Sequence, residues 1–372
     1  MPVVSLRDLR RTAGQLAIVG FEGSALPVET RALARDFDLG GVIYFARNVE
    51  SPGQVAELSR QSAALARETP LWISVDQEGG RVARLRRPFT EWPPMATLGR
   101  SGSEALAARF ARALARELRA VGINLDYAPV LDIHTNPDNP VIGDRALADD
   151  AEGVARFARA IIRALQEEGI AACGKHFPGH GDTSSDSHHE LPVLDHGRDR
   201  FEAVELVPFR AAVEEDVACI MTAHVLVPAY DADRPATLSR RLVDAVLKKQ
   251  LGYQGLVISD DLAMKAVSAH WELGAAMVAA LAAGCDAVLL CDPKPDEQAA
   301  ALEAVIHAVE ARELPLARVE DALARQQRVK ARFLDPRRAT AAPDAGEVIG
   351  CAEHLAIAEE MAAFRSFTRK GT

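Results

Sequence analysis

Residues 175–192 read KHFPGHGDTSSDSHHELP, and four of the chain's ten histidines fall among them. Pro178, Gly179 and Gly181 break any regular element, so this stretch is a loop that follows an apolar run. A surface loop has no packing need for Lys175, His176, His180, Asp182, Asp186, His188 and His189 together. A solvated polar loop is one reading. A metal site is a second, because His and Asp ligate zinc well. Against it, His176-x-x-x-His180 lies on a loop and lacks helical spacing, and no HxH follows an early strand. Acid–base catalysis is the third and favoured reading. Asp186, two residues before His188, would orient the imidazole, fix its tautomer and raise its pKa into the range where it gives and takes a proton near neutrality.

Three further segments carry chemistry. In Gly255-Leu256-Val257-Ile258-Ser259-Asp260-Asp261 an apolar run delivers a carboxylate at its end. One of the two aspartates could cap the next helix, with Asp261 the better candidate. The other would then face a site. In Asp76-Gln77-Glu78-Gly79-Gly80-Arg81-Val82-Ala83-Arg84 the paired glycines allow a sharp turn. An Asp that only accepts hydrogen bonds and an Arg that only donates them could clamp sugar hydroxyls between them. Val141–Arg145 adds another arginine in a long loop. For these last two segments a structural salt bridge competes evenly with ligand contact.

Elements that could position such residues recur along the chain. Short β-rich apolar runs occupy Gln15–Gly23, Gly41–Phe45, Leu71–Asp76, Ile123–Ile133, Ile170–His176, Cys219–Val227, Gly255–Asp260 and Asp286–Asp292. Stretches of helical period lie between most of them. Gly153–Glu168 puts Val154, Phe157, Ala158, Ile161, Ile162 and Leu165 on one face, and Ser103–Val121 spaces Leu106, Phe110, Leu114 and Leu118 by four. Strands alternating with helices imply a parallel sheet. Eight such units suit a closed α/β (β/α)8 barrel of TIM type. A doubly wound open sheet is the alternative, but Gly20-Phe21-Glu22-Gly23 lacks its GxGxxG phosphate turn. Asp76, Asp132, Lys175, His176, His224 and Asp260 all fall where strands end, and barrel enzymes build their sites at the carboxyl ends of strands.

The bulk numbers set limits. The chain has 372 residues and is 48% hydrophobic, ample for one large core. Aromatics are only 5%, so aliphatic and alanine packing must fill that core. The net charge of −10 argues against a phosphate-neutralising nucleic-acid surface. No run approaches a membrane span. MPVVSLRDLRR does not read as a signal peptide, which points to a cytoplasmic address. The five cysteines form no CxxC pair. Cys173, Cys219, Cys285 and Cys291 sit in or beside apolar runs and read as small buried hydrophobes.

Together these segments resemble glycoside hydrolase family 3, in its β-N-acetylglucosaminidase branch. KHFPGHGDTxxDSH followed by LP is a long match. DQEGGRVxR, LDYAPVLDI, MTAHV and SDDLAM match as well, so the resemblance spans roughly residues 13–335. It implies a (β/α)8 barrel and a retaining, metal-independent glycosidase with no cofactor. Residue by residue, it implies that Asp260 is the nucleophile and His188 the acid/base assisted by Asp186. It likewise implies that Asp76, Arg84, Arg145, Lys175 and His176 bind the N-acetylglucosamine unit. The branch acts on disaccharide–peptide fragments of the bacterial cell wall, so the expected partner is a small-molecule muropeptide, with neither nucleic acid nor membrane. Larger members continue into a second α/β domain. Here a Pro/Ala-rich stretch, Arg338–Gly346, and one amphipathic segment, Cys351–Phe367, follow the barrel. The expected organisation is a catalytic barrel over residues 1–337, then a linker and C-terminal helix over 338–372, with no second domain.

Rival activities remain. A histidine acid/base does not repel an anionic acceptor, so phosphorolysis could replace hydrolysis. A β-glucosidase of the same family would place a carboxylate acid/base outside the barrel, and the DSH segment argues against it. A metal-dependent amidohydrolase barrel would be sensitive to a chelator. A non-catalytic sensor of wall fragments would bind without turnover.

Overall fold

All eight apolar runs become parallel strands in a computed structural model that describes residues 6–187, 189–335 and 342–365. They are β1 (Ala17–Val19), β2 (Gly41–Tyr44), β3 (Trp72–Val75), β4 (Leu125–Asp126), β5 (Ala171–Phe177), β6 (Cys219–Thr222), β7 (Leu256–Asp261) and β8 (Ala287–Leu290). Each pairs in parallel with the next. β8 returns to β1, with Ala17 opposite Val288, and closes the barrel. The chain is therefore a (β/α)8 barrel rather than a doubly wound sheet.

The side-chain alternation of a strand explains why these runs are apolar throughout. Ile18, Trp72, Leu125, Cys173, Met221 and Leu289 fill the barrel interior. Their neighbours Val19, Ile73, Ile220, Val257, Val288 and Leu290 face the surrounding helices. The four cysteines expected to be buried hydrophobes are buried and free. Cys173 and Cys219 sit in the interior, where small side chains leave room for Trp72.

The two helices read from sequence form as Glu104–Ala120 and Ala151–Glu167. Each is started by a side-chain cap: Ser103 Oγ accepts from Leu106 N at 3.1 Å, and Asp150 Oδ1 from Gly153 N at 2.8 Å. Helix Leu316–Phe333 covers the amino ends of the strands, where Val329 and Phe333 join the interior cluster. Lys330 reaches from it to the Gly40 carbonyl at 3.0 Å.

The Ile123–Ile133 run is paired much less than its length suggests. Only Leu125 and Asp126 form a strand, with one further bridge from Val130 to Lys175. Pro129 interrupts it, since proline has no N–H to give a ladder. Beyond the barrel, helix Ala352–Ala362 forms inside the predicted amphipathic segment and packs on Glu104–Ala120. Residues 336–341, at the junction expected near residue 337, lie outside the described residues. Among the described residues no helix is long and apolar enough to cross a membrane.

Candidate active site

A cavity of about 590 Å³ opens at the carboxyl ends of the strands. Asp76, Arg84, Arg145, Lys175, His176 and Asp260 all line it. Six of the eight residues singled out from sequence, drawn from four segments of the chain, are thus brought to one place. Of the other two, Asp186 shapes a turn: its carbonyl accepts from His189 N at 2.9 Å and Glu190 N at 3.0 Å. His188 lies outside the described residues. Its neighbour Ser187 lines the cavity.

The floor is a chain of alternating charges. Arg84 Nη2 is 3.3 Å from Asp76 Oδ2, and Lys175 Nζ is 2.7 Å from both Asp76 Oδ1 and Glu78 Oε1. Arg145 grips Glu78 with two parallel bonds, Nε to Oε2 at 2.9 Å and Nη2 to Oε1 at 2.8 Å. The salt-bridge reading of both arginines is therefore realised, and both still face the cavity. Glu78 received no role from sequence. Its signal was present, as the second acid of the Asp76–Arg84 segment, but nothing local says that it would be buried between two cations.

These contacts fix charge states. Burial alone pushes Asp76 and Glu78 up. For Asp76, Lys175 and Arg84 outweigh that cost; for Glu78, Arg145 and Lys175 do. Both carboxyls end below their ordinary range, and stay ionised. Burial likewise opposes the charge on Lys175, but Asp76 and Glu78 raise its pKa above the ordinary lysine value. Removing one partner from such a buried set leaves an uncompensated charge, typically a loss of about 3–5 kcal/mol.

Local structure explains the placement. Gly79 and Gly80 adopt φ of +112° and +56° in the tight hairpin joining Gln77–Gly79 to Val82–Ala83. The positive φ at Gly79 is one that side-chain-bearing residues rarely adopt, and a Cβ there would also lie 3.0 Å from the Pro93 carbonyl oxygen. Gln77 then fixes the returning strand: its Oε1 accepts from Arg84 N at 2.8 Å and Leu85 N at 3.0 Å, and its Nε2 donates to the Leu85 carbonyl at 2.9 Å. That aims Arg84 back at Asp76.

Asp132 organises the histidines. Its Oδ2 lies 2.6 Å from His176 Nδ1, and its Oδ1 accepts from His180 N at 2.6 Å. Burial pushes this carboxyl up, but His176 and the His180 N–H outweigh it and hold it below its ordinary value. An ionised carboxylate only accepts, so His176 Nδ1 carries the proton, and no hydrogen bond engages Nε2 among the described residues. Sequence placed Asp132 at a strand end without giving it this partner.

The two adjacent aspartates of β7 divide their work. Asp260 Oδ1 accepts from the next residue's N–H at 2.8 Å, which orients the carboxylate. Asp261 does not cap a helix, contrary to expectation; helix Lys265–Ser268 starts instead at Met264. Asp261 Oδ1 accepts from Ala263 N at 3.2 Å and Cys291 N at 3.1 Å, tying the end of β7 to β8. Its carbonyl receives His224 Nε2 at 2.9 Å. Burial lifts the Asp261 carboxyl to about 6.

The chain is 42% identical over 276 residues to a β-hexosaminidase of Thiobacillus denitrificans, covering 73% of this chain and 76% of that protein. It is 42% identical over 283 residues to a β-hexosaminidase of Bordetella pertussis, covering 74% and 80%. Its fold superposes with a TM-score of 0.92 on a glycoside hydrolase family 3 β-N-acetylglucosaminidase from Paenibacillus sp. FPU-7, at 40% identity over 97% of this chain and 69% of that one. It superposes at 0.78 on NagZ from Neisseria gonorrhoeae in complex with N-trifluoroacetyl-D-glucosamine, at 32% identity over 94% and 97%. Residues 8–329 match the model of the glycosyl hydrolase family 3 N-terminal domain, and the chain belongs to that family.

Proposed function

We propose that the protein is a retaining exo-β-N-acetylglucosaminidase that releases terminal β-linked N-acetylglucosamine from cell-wall muropeptide fragments in the cytoplasm. The observation that carries the reading is Asp260, an oriented carboxylate at the end of a barrel strand, sharing one cavity with an ion-pair chain rich in hydrogen-bond donors. The names of the relatives supply the sugar: β-hexosaminidases by sequence, and a neighbour in complex with N-trifluoroacetyl-D-glucosamine.

In this mechanism Asp260 attacks the anomeric carbon while His188 protonates the departing glycosidic oxygen. The C1–O bond breaks and a glycosyl ester forms on Asp260. Neutral His188 then takes a proton from water as its oxygen attacks C1; the C1–O bond to Asp260 breaks, the carboxylate is regenerated, and the sugar leaves with its β configuration retained. Asp186 orients His188. Asp76 accepts from sugar hydroxyls; Arg84, Arg145, Lys175 and the Nε2 edge of His176 complete the hydrogen-bonding lining. Because Arg145 and Lys175 are already held by Glu78, Arg84 by Asp76 and His176 by Asp132, they need little reorganisation as charge develops on the ring.

The test compares 4-nitrophenyl N-acetyl-β-glucosaminide with the matching glucoside, using the wild type and Asp260→Ala. Turnover of the acetamido sugar alone, lost by about 10³-fold or more in the variant, is the expected outcome. Turnover of the glucoside alone would sink the substrate assignment. A variant that keeps its activity would remove Asp260 as nucleophile.

A further inference from the structure

Ser187 is the residue immediately before His188, and it is held from two sides. Its carbonyl accepts from Ala266 N at 3.2 Å, in the segment that follows Asp260 and β7. Its hydroxyl lies 3.1 Å from His180 Nε2. His180 is only 2% exposed, and its other ring nitrogen, Nδ1, lies 2.7 Å from Thr183 Oγ1. Its backbone N–H is fixed on Asp132 at 2.6 Å. Thr183 is fixed in turn, donating to the His180 carbonyl at 3.0 Å and accepting from Asn139 Nδ2 at 3.2 Å.

A neutral imidazole has one N–H and one lone pair, and a hydroxyl can play either part. Thr183 gives its one hydroxyl proton to the His180 carbonyl, so His180 Nδ1–H donates to Thr183 Oγ1 and Nε2 accepts from the Ser187 hydroxyl. The surroundings of the ring keep it neutral. Burial lowers its pKa to about 4, with His176 pulling the same way and Asp132 and Asp260 pulling against. A ring that stays uncharged near neutral pH is a poor general acid, yet it is an effective fixed strut. It connects the anchored base of the loop, at Asp132 and Thr183, to the residue that leads into His188.

We propose that His180 is a positioning residue for the proton-transfer step: by gripping Ser187 it restrains the chain at the residue that precedes the proposed acid/base. This rests on the role proposed above for His188. Proton transfer tolerates little misplacement, so loosening Ser187 should cost protonation of the leaving group more than sugar binding.

Leaving-group acidity separates these effects. kcat/KM is measured for 2,4-dinitrophenyl and phenyl N-acetyl-β-glucosaminides, the first leaving without a proton and the second requiring one. His180→Gln, Ser187→Ala, Ser187→Thr and His188→Ala are compared with the wild type. The expected result is a loss of about 10-fold or more on the phenyl substrate, against about threefold or less on the dinitrophenyl one, for His180→Gln and Ser187→Ala. Ser187→Thr, which keeps the hydroxyl, should restore most of it. Equal losses on both substrates, or no loss in Ser187→Ala, would overturn the proposal, whatever happens to the folding of His180→Gln. His188→Ala separates the two layers. If it shows the leaving-group dependence and the other two variants do not, the positioning role falls alone. If it shows none, the acid/base assignment itself falls.

Discussion

Asp126 and Glu78 show how neighbours decide whether burial neutralises a carboxyl. Both are buried carboxyls within the same cluster. Glu78 meets Arg145 and Lys175 and stays ionised. Asp126 accepts one backbone bond, from Gln77 N at 2.9 Å, and its Oδ2 has no partner among the described residues. Burial dominates there, aided by Asp76 and Glu78 and opposed by the Gln77 N–H and Lys175, and lifts its pKa to about 7. A carboxyl raised in the folded state binds its proton more tightly folded than unfolded. It therefore stabilises at low pH, and that contribution is lost as pH climbs from about 4 through about 7. Asp126→Asn, which mimics the protonated form, should gain on the wild type by on the order of 2 kcal/mol between pH 5 and pH 8. Urea unfolding at the two pH values reads this directly, and a constant difference between the proteins would show that Asp126 does not titrate there.

At the scale of elements, the site depends on loops that brace one another. Asn139 lies in the loop after β4 and is buried. Its Oδ1 accepts from Val141 N at 2.9 Å and Ile142 N at 2.7 Å, which shapes the turn leading to Arg145. Its Nδ2 donates to the carbonyls of His180 at 2.9 Å and Gly181 at 3.1 Å, and to Thr183 Oγ1. One side chain thus locks the arginine loop to the histidine loop. Farther along the histidine loop, Asp182 accepts from Thr135 Oγ1 at 2.7 Å and lies 2.5 Å from His196 Nε2. Asn139→Ala leaves backbone groups of both loops unsatisfied, each worth about 1 kcal/mol or more when buried. The expected outcome is a stability loss of about 2–3 kcal/mol together with a raised KM. Denaturant melts and steady-state kinetics check both; an unchanged KM would mean the loops hold their places without this brace.

The whole molecule extends the same logic to its C-terminal segment. Glu117 is buried on helix Glu104–Ala120. Its carboxylate accepts from Thr90 N at 3.0 Å, Thr90 Oγ1 at 2.6 Å and Gly350 N at 3.0 Å, and lies 2.9 Å from His354 Nδ1. Trp92 packs edge-on against Phe110 and also near the His354 ring. At the rim, Arg109 pairs with Glu360 at 2.7 Å. The C-terminal helix is therefore linked, through Glu117, to the loop that starts at Arg84. Ending the chain after Asp335 removes two of the four contacts to a buried carboxylate, and the unfolding free energy should drop by about 2–4 kcal/mol. Urea denaturation of the shortened chain measures this; an unchanged midpoint would show that the segment only rests on the barrel.

The sequence by itself determined the alternation of eight parallel strands with helices, because two-sided burial makes each strand a continuous apolar run and each crossover a helix of visible period, while the pairing of β8 with β1 closed the barrel. It also pointed to the cavity, since Asp76, Lys175, His176 and Asp260 stand at the ends of those runs, where a barrel must open. Local motifs even told the paired glycines of the hairpin to turn. What no local pattern contains is which distant charge meets which. That Arg145 would face Glu78 rather than a substrate alone, that Asp132 would fix the tautomer of His176, and that Asp261 would tie β7 to β8 instead of capping a helix depend on strands far apart in sequence. Coulombic and hydrogen-bonding partners are chosen by three-dimensional proximity in a desolvated place, and only closing the barrel creates both the proximity and the desolvation.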